Sequence, residues 1–196
     1  MEIHRVTFRR RTAKALGRLV ESNRTLVSLI IDLEESDPDV DYMIQQRNVC
    51  RELKEALLRN RFVIGITVNV ARRDCSRDPV ILGALRRNLM LVNKAVHFVN
   101  GSVEKQDALA FETLQYCFSV QLSLRAVFNA LDQSVIEKIA EARKRLASEY
   151  FILVGVVKTR IACHPHRKRK TTFDKLGKDM QARICSYLSL TDVVDI

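Results

Sequence analysis

The sequence predicts an α/β fold in which short helix–strand units are followed by a mainly α-helical C-terminal region. Three observations carry that reading. Asn23, Asn60 and Asn88 each follow apolar residues at helical spacing, and they stand 37 and 28 residues apart. The apolar residues around them recur in register. Leu16, Leu53 and Ile81 lie seven before, Val20, Leu57 and Leu85 three before, Leu26, Val63 and Leu91 three after, and Ile31, Val68 and Val96 eight after. Following the first two asparagines, Leu29 and Ile31, then Ile66 and Val68, alternate as in a strand with one buried face.

Composition sets the bounds. An apolar fraction of 47% in 196 residues is enough for a packed core. No apolar run approaches the roughly 18–20 residues of a membrane span, so no membrane partner is expected. The opening MEIHRVTFRRR has no apolar stretch before a cleavage site and does not read as a secretory signal. Five scattered cysteines, Cys50, Cys75, Cys117, Cys163 and Cys185, never form a CxxC pair, which argues for a reducing compartment and against a disulfide framework. The expected location is the cytoplasm, with the nucleus as the alternative. A net charge of +10 suits a polyanionic partner, yet aromatic residues make up 6% of the chain, which leaves few platforms for stacked bases. The dense basic runs are Arg9-Arg10-Arg11 and Arg167-Lys168-Arg169-Lys170. Each reads either as a solvated face or as a nuclear-import or phosphate-contacting patch.

Repeats of about 20–29 residues with one strand and one helix describe a leucine-rich horseshoe. The 28-residue interval resembles the ribonuclease-inhibitor class of leucine-rich repeats, found in ribonuclease inhibitors, Ran GTPase-activating proteins and NLR receptors. Against that family's LxxLxLxxN pattern, the first copy reads Leu26, Leu29, Ile31, Glu34 and the second Val63, Ile66, Val68, Ala71. Both lack the terminal asparagine, so the copies are degenerate. In the third, Lys94 replaces an apolar position and NLMLVNKAVHFV reads as continuing helix, which is where the solenoid ends. The longer first interval fits an insertion around SDPDVDYMIQQ, with a turn at Ser36-Asp37-Pro38-Asp39. The resemblance implies a degenerate leucine-rich-repeat solenoid remnant with a helical cap. The alternative is that these helices and strands belong to an unrelated α/β domain. Two repeats leave an apolar face for a neighbour, so the chain is expected to be the C-terminal part of a longer repeat protein or a truncated paralogue. The strand near Leu26–Ile31 would then present an open edge.

Downstream, Asp78-Pro79 opens a helix running to Val99, stopped by Asn100-Gly101. His97 lies within it as a packed or half-exposed side chain. Helical spacing continues from Val103 to Leu131 through Phe111, Leu114, Phe118, Leu122 and Val127. Ser134 and Glu137 have capping-box spacing and would start the next helix, with Ile136, Ile139, Leu146 and Tyr150 as its apolar positions. The β-branched stretch Tyr150–Cys163 reads as strand or as helical continuation, with helix preferred. RRNLMLVNKAVHFVNG and FILVGVVKTRIACHP resemble the helical C-terminal region of ribonuclease-inhibitor-like repeat proteins. The expected divisions are 1–76 for the degenerate repeats, 77–163 for the helical cap, 164–171 for a basic linker and 172–196 for a short helical tail.

No catalytic constellation, cofactor loop or metal site is found. Cys163, His164 and His166 are too close together to ligate one tetrahedral zinc readily, and Cys117 or Cys185 could complete a site only through the fold. The same Cys and His residues lack an identifiable oxyanion hole or orienting acid. The final stretch, with Leu176, Met180, Ile184, Leu188 and Val193, is similar to the start of an F-box, although Gly177 stands where that motif has proline. Its other reading is a terminal helical pair that caps the core. The chain is therefore expected to be a non-enzymatic protein–protein interaction module, contacting partners through Ser28, Ile30, Thr67 and Asn69. One alternative is an F-box-like ubiquitin-ligase substrate adaptor docking through Leu188. The other is a nucleic-acid-binding protein using basic runs such as Arg167, Lys168, Arg169 and Lys170.

Overall fold

The periodicities resolve into a mainly helical structure with one small, unclosed, three-stranded parallel sheet. The computed structural model describes residues 1–33, 42–69, 77–128, 132–158 and 171–193. Two compact units divide the chain: Met1–Leu91 with Cys117–Ser119, and Val92–Tyr116 with Val120–Ile196. The division falls inside a helix, whereas the sequence suggests one near residue 77.

In the first unit, strands alternate with helices: β1 (Glu2–Val6), α1 (Arg10–Ser22), β2 (Ser28–Leu33), α2 (Tyr42–Arg59), β3 (Gly65–Asn69) and the start of α3 (Pro79–Val99). The sheet order is β1-β2-β3. Leu29 lies opposite Ile66 and Ile31 opposite Val68, while β1 pairs Glu2 with Ile30 and Ile3 with Ile31. This corrects the expectation of an open edge at Leu26–Ile31, because β1 covers it. The EIHRV segment escaped the sequence reading: its few apolar residues give too short an alternation to stand out beside the arginines that follow. At the other end of the expected insertion, MIQQ forms the first turns of α2 rather than a loop, and buried Gln45 accepts the Phe8 amide at 2.8 Å. The turn residues Ser36–Asp39 lie outside the described residues.

Packing follows the two periods. Leu29, Ile31 and Leu33 of β2 and Ile66 and Val68 of β3 point to one side. There they meet Ala13, Leu16 and Val20 of α1, Val49, Leu53, Ala56 and Leu57 of α2, and Ile81, Ala84 and Leu85 of α3 in a single apolar cluster. Gly17 lets α1 and α2 approach closely: a Cβ there would stand 3.1 Å from the Glu52 Cβ.

The asparagines that mark the sequence period have a common structural use. Asn23 Oδ1 accepts the amides of Thr25 and Leu26 at 2.9 and 2.7 Å. Asn60 Oδ1 does the same for Phe62 and Val63, both at 2.8 Å. Its Nδ2 also donates back to the preceding turn, to the carbonyls of Val20 at 2.7 Å and Asn23 at 2.9 Å. Asn88 Nδ2 continues the pattern, donating to the Asn60 and Val63 carbonyls at 3.2 and 2.7 Å. Each of these carboxamides thus satisfies backbone groups that a helix-to-strand turn would otherwise bury unpaired. Beside them, Arg87 donates to the Leu57, Leu58 and Asn60 carbonyls and so closes the end of α2.

The second unit is helical. It contains the rest of α3, α4 (Lys105–Leu114), most of α5 (Phe118–Phe128), α6 (Asp132–Ser148), α7 (Tyr150–Leu153) and α8 (Lys178–Cys185), with 3-10 turns at Phe173–Lys175 and Leu190–Asp192. Gly101, at φ +106°, stops α3 as its sequence suggests. Helix α6 begins at Asp132, which corrects the proposed cap at Ser134: Glu137 instead accepts from Gln133 one turn earlier, at 3.1 Å. The helical pattern of Val103–Leu131 breaks between α4 and α5, and Arg143 donates to the half-buried Gln115 carbonyl at 2.6 Å. Helix α7 is a single turn ended by Gly155 at φ +77°, so the helix expected from Tyr150 does not run on through residues 154–158; residues 159–163 lie outside the described residues.

The core of this unit holds the fully buried rings of Phe98 and Phe111, whose centroids are 5.2 Å apart, and Leu114, Leu124, Ile139 and Leu153 are buried as well. The last segment joins it. Leu190 is fully buried, its amide and the Ser189 hydroxyl donate to Glu112, and the Tyr150 hydroxyl donates to the Ser189 carbonyl at 3.0 Å. Ser189 and Asp192 form a capping box there. Residues 172–193 therefore belong to the body of this unit.

Candidate functional site

The strand period that buries Leu29, Ile31, Ile66 and Val68 turns every intervening side chain the other way. On that outer face Glu2, His4, Ser28, Thr67 and Asn69 are exposed, and Ile30 and Asp32 are partly so. Strand register arranges them in rows. Glu2, Ile30 and Thr67 form one, and Asp32 and Asn69 lie opposite each other in the next, joined by His4. Ser28, Ile30, Thr67 and Asn69, the four residues singled out from the sequence, all sit on this face.

A polar cluster occupies its center. Asp32 accepts from Asn69 Nδ2 through one oxygen and bonds His4 Nδ1 through the other. The second ring nitrogen of His4 faces Glu2 at 3.2 Å. The hydrogen bond to Glu2, then that to Asp32, raises the His4 pKa above its ordinary 6.5. The hydrogen bond from Asn69, reinforced by His4 against some desolvation, lowers Asp32 below 3.8. The signs of the two linkages differ. A raised histidine contributes stability that is complete below the unfolded pKa and is lost as pH rises through the folded value. A depressed carboxylate contributes stability above its unfolded pKa and loses it as pH falls through the folded value. The ion pair is thus intact from the depressed value of Asp32 up to the raised value of His4. Comparing melting temperatures of the wild type and His4→Gln from about pH 6 to about pH 9 is expected to show the wild-type advantage shrinking as pH rises. An advantage independent of pH would mean that the pair does not form in solution.

Sequence inspection missed this cluster because its members come from three strands, and only the sheet register brings them together. Among the described residues the His4–Asp32 pair has no hydrogen-bonded nucleophile, and no group of three or more His, Cys, Asp or Glu side chains is arranged to hold a metal.

The other singled-out residues are dispersed. Leu188 follows α8 and is exposed, beside exposed Tyr187 and one to two turns beyond exposed Met180 and Ile184. Cys163, His164, His166, Arg167, Lys168, Arg169 and Lys170 lie outside the described residues. Cys117 and Cys185 are buried free thiols whose pKa values are raised by desolvation, the opposite of what a reactive thiolate requires. Cys50 is disulfide-bonded, whereas the scattered cysteines of the sequence argue against a disulfide framework. His97 is exposed, with Nδ1 4.0 Å from Asp107. In the second unit a cavity of about 460 Å³ is lined by Phe151, Phe173, Leu176, Gln181 and Cys185 among others. Among the described residues no helix is long and apolar enough to cross a membrane. No family model matches the chain, and neither a curated protein nor a solved structure matches it.

Proposed function

We propose that this chain is a non-enzymatic protein–protein interaction module, built on degenerate leucine-rich helix–strand units, whose contact surface is the outer face of the sheet. The observation that carries the reading is the one-sided burial of a parallel sheet. Such sheets ordinarily have both faces covered, yet Glu2, His4, Ser28, Thr67 and Asn69 remain exposed while the opposite side chains are fully packed. The face offers hydrogen-bonding groups fixed by strand register, with Ile30 as an apolar center, and a fixed polar surface of this kind costs little ordering on binding. Its extent sets the strength of the contact. Three strands of five to six residues span on the order of 250 Å², well below the ~800 Å² per partner of a stable interface. The sheet face by itself therefore supports a weak, transient contact, and a tight one would recruit neighboring loops.

The test places a photo-crosslinking amino acid at Thr67, identifies the trapped protein, and measures its affinity for the unmodified chain. Replacing Ser28, Ile30, Thr67 and Asn69 together by alanine is expected to weaken that affinity at least tenfold, with the circular dichroism spectrum preserved. A partner that binds the quadruple variant as tightly as the wild type would remove the sheet face from the interface.

A further inference from the structure

The exposed side of α1 carries a row of cations. Arg10, Lys14 and Arg18 succeed one another at four-residue intervals, which sets them along one line of the helix, and Arg11 stands one turn from Lys14 beside that line. Arg9 precedes them at the N-cap. All five are exposed, and among the described residues none of their side chains has an ion pair or hydrogen bond. Two carboxylates on or against α1 are engaged. Glu21, the sole acid of α1, is held by Arg59 at 2.9 Å, and Glu52, which lies against Gly17, is held by Arg51 at 2.9 Å. Like charges at these spacings destabilise a helix. Here they persist on a helix whose opposite face, Ala13, Leu16, Gly17 and Val20, is locked into the core.

We propose that this row is a binding surface for the phosphate backbone of duplex nucleic acid, gripped without regard to base sequence. Successive members are about 6 Å apart along the axis, so a single rigid helix presents several cations to one run of phosphates. Arginine predominates, and its planar fork suits phosphate oxygens. Two other polyanions fit less well. A helix that binds a lipid surface buries its apolar face among acyl chains, and the apolar face of α1 is already committed to the protein core. Single strands are held by bases stacked on aromatic rings, and α1 has no aromatic residue. Contact with backbone charge alone describes a duplex.

The test titrates a labelled random-sequence DNA duplex with the full chain at several salt concentrations. Each phosphate contact contributes about 0.9 to the slope of log K against log salt. Arg10→Gln/Lys14→Gln/Arg18→Gln is expected to make that slope shallower by about 3 and to weaken binding equally for unrelated duplex sequences. The single variants Arg10→Gln and Lys14→Gln are each expected to lower it by about 1, which keeps the test open should the triple variant not fold. Three results would overturn the proposal: no duplex binding at low salt, an unchanged slope in these variants, or loss of binding only when Arg167, Lys168, Arg169 and Lys170 are replaced by serine. Tighter capture by phosphatidylserine vesicles than by duplex, abolished by the triple variant, would reassign the row to membranes and equally overturn it.

Discussion

Replacing Asn60 by alanine is expected to destabilise the first unit by about 3–5 kcal/mol. Asn60 is 1% exposed and uses its carboxamide four times, donating to the Val20 and Asn23 carbonyls and accepting the Phe62 and Val63 amides. Alanine leaves four backbone groups short of a partner, in a place with little access to water. Asn60→Asp is a sharper probe, because it keeps the shape and the acceptor but turns an oxygen toward two carbonyls; it is expected to cost at least as much at neutral pH. Asn23→Ala is the internal control. Asn23 braces its own turn and is partly exposed, so its loss is expected to cost about 1 kcal/mol. Urea unfolding of the variants, followed by circular dichroism, reads the order directly. Equal effects at Asn23 and Asn60 would show that the back-donation to the preceding turn contributes nothing.

Phe98→Ala is expected to cost the second unit about 3–5 kcal/mol. The ring is fully buried, packs on Phe111 at 5.2 Å, and lies under the Arg145 guanidinium, whose central carbon is 4.2 Å from the ring centroid. Arg145 also donates to the Phe98 and Ser102 carbonyls at the end of α3. Truncating the ring opens a cavity and removes the surface on which that cation rests. Phe98→Leu keeps most of the volume and loses the cation–π contact, so it is expected to cost about 1–2 kcal/mol. Thermal melts of both variants check the ratio. An alanine variant within 1 kcal/mol of the wild type would mean that this core closes around the gap.

Much of the architecture was legible because a strand or helix with one buried face writes its period into the sequence. The asparagine alignment found β2, β3 and the three helices beside them, since Leu29, Ile31, Ile66 and Val68 alternate and Leu16, Val20, Leu53 and Leu57 keep a helical spacing. What it did not show was why asparagine recurs, because its carboxamide acts on a turn that ended 37 residues earlier in the case of Asn60 and Asn23. Strand β1 was hidden for a related reason. Its pairing with β2 is a non-local event, and the local composition of EIHRV, three of its five residues charged or titratable, carries no strong strand signal. The start of α6 was misplaced because Ser134 and Glu137 have the spacing of a cap, but spacing alone does not choose between a cap and an ordinary turn inside a longer helix. The outer face was anticipated at Ser28, Ile30, Thr67 and Asn69 from alternation, whereas His4, Asp32 and Glu2 required the register across strands.

The asparagine ladder has a consequence for where this architecture tolerates change. From helix end to strand start, Asn23–Val27 and Asn60–Ile64 have the same length of five residues, because one carboxamide spans each passage. The rim at these two passages is therefore held to a template, in which an inserted or deleted residue pulls the carboxamide away from the amides it accepts. The strand-to-helix passage before α1 is three residues long, and its Phe8 is buried in the core with its amide held by Gln45. Grafted loops, tags or new recognition segments placed in either asparagine passage would break the ladder.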